Sequence, residues 1–166
     1  MFFSAALRKT PLKLALAVKR IMKSVEETYK ELDCNLREAS VAQIGGFRPP
    51  ESKITSWFGG QGIGLKGETL PKYKGRDMFS LLQVKVTELP VIPPELEKTE
   101  LLVVFMNRDE VPFGKPHGEG WEIREYTSLN GLQLLPKSEE PDLVKDFPIK
   151  WNKVTDDAPD WENAWD

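Results

Sequence analysis

The sequence predicts an α+β fold: a long N-terminal amphipathic helix packed on a mostly antiparallel β-sheet. Three observations carry this. Apolar residues recur at helical spacing from Leu14 to Leu32, apolar or alternating stretches follow Met78, and the segments joining those stretches are proline-rich and lack the pattern of crossover helices. The chain has 166 residues, 40% hydrophobic and 30% charged, which fits one domain built around one core. It reads in order as a helix (11–34), a glycine-rich loop region (45–75), a β-sheet region (78–151) and an acidic, tryptophan-bearing tail (152–166).

The helix opens with Thr10 as N-cap and Pro11 in its first turn. Leu14, Val18, Ile21, Met22, Val25, Tyr29 and Leu32 then form one stripe, opposite Lys13, Arg20, Glu27, Lys30 and Glu31. Residues 1–23 carry six basic side chains and no acid, as a leader would. The apolar run Leu14 to Val18 is nevertheless too short for export or a membrane span. After Lys23 the polar face mixes Lys with Glu, so packing on the body of the fold ranks above docking on anionic lipid.

Between the helix and Met78, Gly45-Gly46, Pro49-Pro50, Gly59-Gly60, Gly62, Gly64, Gly67 and Pro71 confine regular structure to short pieces. Strands are expected at Phe79 to Val86, Leu101 to Met106 and Trp121 to Tyr126, with shorter ones at Leu132 to Leu135 and Phe147 to Trp151. Leu101 to Met106 is apolar throughout and reads as central. Trp121 to Tyr126 alternates with Glu122 and Arg124 and reads as more exposed.

The composition excludes several chemistries. A single cysteine, Cys34, precludes an intrachain disulfide, and with a single histidine, His117, it precludes the usual Cys/His zinc sites. Gly62-Ile63-Gly64-Leu65-Lys66-Gly67 matches G-x-G-x-x-G formally, but no helix signal follows it to receive a pyrophosphate. No cofactor, metal or catalytic residue is assigned. Beyond residue 23 the chain has 17 bases to 26 acids, a net of −9, which opposes nucleic-acid binding.

Residues 52–136 contain an ordered set of motifs. Ser52-Lys53-Ile54-Thr55-Ser56-Trp57-Phe58-Gly59-Gly60 is followed by Leu70-Pro71, by Met78-Phe79-Ser80-Leu81-Leu82-Gln83-Val84-Lys85-Val86-Thr87-Glu88-Leu89-Pro90, by Leu101-Leu102-Val103-Val104-Phe105 and by Gly120-Trp121-Glu122-Ile123-Arg124-Glu125-Tyr126. This order resembles the YwqG-like family, a bacterial family named as a domain of unknown function, over about half of the chain. The resemblance implies an α+β fold with twisted antiparallel sheets and a short member or single repeat, because family members often continue into a second half. It also implies an association with bacterial toxin systems. In that setting Gly59-Gly60 is expected to make a tight turn beside the Gln83 strand, with Gln83 bonding the amides of that turn.

Three functional readings follow. The first is a non-enzymatic, cytoplasmic protein-binding domain, such as an immunity protein occluding a basic toxin. In it Asp156, Asp157, Asp160 and Glu162 steer the encounter, and Trp161 and Trp165 anchor it. The second is a small-ligand-binding or hydrolytic domain with a pocket at the glycine-rich loop, formed by Trp57, Gly59, Gly60, Gln83 and His117. A structural or accessory module is the third possibility. Localisation to the cytoplasm follows from the missing export and membrane signals and the lack of a cysteine pair.

Overall fold

The computed structural model describes residues 36–141 and 143–157. The expected helix over 11–34, with Cys34 at its end, lies outside the described residues, as do Asp160, Trp161, Glu162 and Trp165 of the tail. Of the described residues 41% are strand and 5% helical, and no helix reaches seven residues. The α+β class is therefore corrected to a mostly-β fold. The physical reason is that the whole helical signal sat before residue 35. Beyond it, prolines and glycines interrupt the chain so often that the helical content of the described residues is two single 3-10 turns, Val86–Glu88 and Pro94–Leu96. Among the described residues no helix is long and apolar enough to cross a membrane.

The chain divides into a unit of Ala39–Val154 and a unit made from its two ends, Met1–Glu38 with Thr155–Asp166. Of the latter, residues 36–38 and 155–157 are described, and there Arg37 Nε lies 3.5 Å from Asp157 Oδ2. The strands are β1 (Arg37–Ile44), β2 (Trp57–Phe58), β3 (Ile63–Leu65), β4 (Lys72–Tyr73), β5 (Arg76–Asp77), β6 (Phe79–Lys85), β7 (Leu101–Met106), β8 (Trp121–Tyr126), β9 (Leu132–Leu134) and β10 (Phe147–Asp157). Six of them form one sheet in the order β1-β10-β2-β6-β7-β8, while β3 pairs with β9 and β4 with β5.

The antiparallel expectation holds at β2/β6, β6/β7, β7/β8 and β2/β10. The apolar run of β7 lies between β6 and β8, with Leu101, Val103 and Phe105 fully buried. Leu102, Val104 and Met106, on its other face, are half-buried, so neither face of this interior strand is fully open and its apolar sequence suits both. One face of β7 and β8 meets the small β3/β9 sheet. Ile63, Met78, Leu132 and Leu135 close over Leu101, Val103, Phe105 and Tyr126, and this cluster is the core of the 39–154 unit. The β4/β5 hairpin turns on Lys74 and Gly75, both at positive φ, as a two-residue hairpin loop demands.

Candidate functional site

The Gly59-Gly60 pair leaves β2 at φ +72° and +83°, with the Gly59 N–H donating to Leu81 O at 2.7 Å. A Cβ on Gly59 would stand 2.5 Å from Lys145 O, and one on Gly60 would stand 2.7 Å from Asp146 Cβ. The residues are glycines because the 145–146 backbone passes directly against them, in a conformation L side chains rarely adopt. The turn is pinned further along, where Gln61 Nε2 donates to Leu135 O at 2.5 Å and Leu135 N–H donates to Gly62 O at 2.8 Å.

Between this turn, the start of β6 and the segment 134–146 lies a cavity of about 590 Å³. That volume falls within the range of small-molecule sites, roughly 300–1,000 Å³. Leu70, Met78, Phe79, Leu134 and Val144 supply its apolar lining, and Lys53, Arg108, Lys137, Lys145, Glu140 and Asp146 its charges. Lys53 Nζ sits 4.4 Å above the Trp57 ring and 3.2 Å from Asp146 Oδ2, so this lysine and this carboxylate neutralise each other beside the indole. Arg108, whose side chain is 5% exposed, donates to Asp77 O at 3.1 Å and Pro141 O at 2.8 Å and lies 3.7 Å from Glu140. Glu140 also pairs with Arg76 at 2.5 Å. The hydrogen bond from Arg76 is the main reason its carboxyl is held below the ordinary range, outweighing the opposing effect of desolvation. Trp57 lines the cavity at 6% exposure, and its Nε1–H has no hydrogen-bond partner.

Three of the five expected pocket residues, Trp57, Gly59 and Gly60, meet at this cavity. Gln83, 2% exposed, does not line it. Its amide donates to Lys53 O and Thr55 O at 2.9 and 2.5 Å, so it anchors the segment entering β2 and not the amides of the glycine turn. His117 is also absent from the lining. Its Nε2 accepts the Ile123 N–H at 2.9 Å and its ring meets Trp121 edge-on at 5.3 Å. Of the acidic-tail candidates, Asp156 and Asp157 close β10.

Sequence reasoning missed Arg108, Lys137 and Lys145. Lys145 stands among Glu139, Glu140, Asp142 and Asp146, where it is outvoted by count, and Pro136 and Pro141 were the available sign of a shaped loop. Among the described residues no three His, Cys, Asp or Glu side chains gather as metal ligands. No protein-family model matches the chain, and no curated protein matches it.

Proposed function

We propose that this protein is a small-molecule-binding domain whose site is the cavity walled by the Gly59-Gly60 turn and the 134–146 segment. The observation that carries the reading is a cavity of about 590 Å³ whose lining joins Trp57 and the apolar side chains of Leu70, Met78 and Leu134 to Lys137 and Lys145. The hydrolytic version is set aside because His117, the histidine of the expected pocket, lies on the β7–β8 loop with its Nε2 committed to Ile123. Occlusion of a basic toxin, which rests on the resemblance to the YwqG-like family, draws on a surface of which only Asp156 and Asp157 are described.

The test is a thermal-shift screen of the full chain against a metabolite library, repeated on Leu134→Trp. Leu134 is 42% exposed and lines the cavity, so an indole there fills the site at little cost to the core. At least one compound should raise Tm, by mass action, in the parent and not in the variant. Equal shifts in both proteins would place binding elsewhere and sink the reading.

A further inference from the structure

Among the described residues the charges around the cavity are not balanced, and the imbalance names a ligand class. Both of its carboxylates are engaged, Asp146 by Lys53 and Glu140 by Arg76 and Arg108. Lys137 and Lys145, also on the lining, make no hydrogen bond or ion pair with any described residue. What the lining leaves unmatched among the described residues is thus two ammonium groups. Both seek acceptors, and they stand beside the apolar side chains of Leu70, Met78 and Leu134. A cationic ligand would meet two lysines that no described carboxylate compensates. A neutral apolar one would leave the donors unmet as water is displaced.

We propose, building on the ligand-binding reading above, that the cavity takes a small anion on an apolar body, a carboxylate or a phosphate monoester. Lys137 and Lys145 hold the charge, and Trp57 with the apolar lining covers the body, so that the Trp57 resonance reports occupancy. Because both lysines are exposed, they act at the mouth of the site, and their share of the affinity is screened by salt.

The experiment uses the full chain and five probes: phenylacetate, phenyl phosphate, their neutral relative phenylacetamide, the cation phenethylamine, and inorganic phosphate. Binding is read by Tm and by the indole N–H resonance of Trp57 in a nitrogen-15 spectrum, assigned among the five tryptophans with Trp57→Phe. The two aromatic anions should bind about tenfold or more tighter than the amide or the amine, move the Trp57 resonance, and weaken as salt rises. Whether phenylacetate or phenyl phosphate binds tighter distinguishes the carboxylate from the phosphate source, and a body-independent response to inorganic phosphate would remove the apolar part of the proposal. Lys137→Gln with Lys145→Gln should cost the anions about tenfold and flatten their salt dependence, whereas Lys66→Gln with Lys98→Gln should not. If the amide or the amine moves Trp57 as well as the anions do, the anion inference fails and the ligand-binding reading stands. If anions bind equally to the lysine double variant or to Leu134→Trp, the assigned site is wrong. If no probe shifts Tm or the Trp57 resonance at millimolar concentration, the anion inference falls, and a negative metabolite screen beside it takes the ligand-binding reading too.

Discussion

At the scale of single residues, the orphaned indole of Trp57 makes an unusual stability prediction. Replacing a buried Trp by Phe shrinks a packed side chain, which destabilises, but here it also deletes a buried donor that has no acceptor, worth about 1–3 kcal/mol in the opposite direction. Trp57→Phe should therefore shift the urea unfolding free energy by no more than about 1 kcal/mol, with an unchanged m-value. A loss of about 3 kcal/mol or more, the scale of an ordinary core truncation, would mean that the N–H is satisfied in solution. Tyr126 carries a pH prediction. Its hydroxyl donates to Glu68 Oε2 at 2.8 Å, and burial first, then the Glu68 carboxylate, pushes the phenol up to about 12. The folded state thus holds this proton more tightly than the unfolded chain, whose phenols ionise near 10. The stabilisation is complete below about pH 10 and is lost as pH rises from there towards about 12. Stepped-pH urea curves, with phenolate absorbance followed in parallel, should show this decline in the parent and not in Tyr126→Phe. An identical pH dependence in the two would refute it.

At the scale of elements, β8 shows how an edge strand is kept from pairing with another chain. It is the outermost strand, and the loop before it folds back along its open side. His117 Nε2 accepts the Ile123 N–H, Gly118 N–H donates to Trp121 O at 2.8 Å, and Trp121 Nε1–H donates to Lys115 O at 2.8 Å. Asn107 shapes the root of that loop, donating to Gly120 O and accepting the amides of Asp109 and Glu110. His117→Ala should cost about 1 kcal/mol and speed amide exchange at Ile123 while leaving Ile149 unchanged. Equal protection at Ile123 would show that the imidazole does not guard the edge. Strands whose signal is local were legible in the sequence. Leu101–Met106 and Trp121–Tyr126 match the expected spans, and Phe79–Lys85 and Leu132–Leu134 each end one residue earlier. The misses are strands held by neighbours rather than by pattern. β1 is mostly exposed, and its apolar residues Ala39, Val41, Ala42 and Ile44 do not keep a strict alternation. β10 runs on past Trp151 through Asn152–Asp157, where no alternation announces a strand and pairing in the sheet sustains it.

At the scale of the whole molecule, order depends on contacts far apart in sequence, and this bounds what the sequence could reveal. The glycine turn of the site was legible because a local backbone demand leaves a local signature. Lys137 and Lys145 were not, since they share a cavity with Trp57 only after about 80 intervening residues have folded. Net charge misled in the same way. Glu140 and Asp146 add to the excess of acids beyond residue 23, yet each is consumed by a distant cation, Arg76 and Lys53. Ser56 condenses this non-local dependence into one residue. It is 1% exposed; its N–H donates to Glu88 Oε2, its C=O accepts Ile149 N–H, and its hydroxyl oxygen accepts both Lys85 N–H at 3.0 Å and Trp151 Nε1–H at 2.9 Å. One side chain thereby ties the entry of β2 to the end of β6 and to β10. Ser56→Ala removes a single oxygen and strands two donors at once, so it should cost about 2–4 kcal/mol, far above an average surface serine. Ser56→Cys keeps a weak acceptor and should recover part of that loss. Because the oxygen holds β10 to the rest of the sheet, amide protection should fall at Ile149 and Trp151 before it falls in β7. A cost below about 0.5 kcal/mol, or uniform loss of protection across β7 and β10, would mean that water replaces the hydroxyl and that β10 is held by its backbone ladder alone.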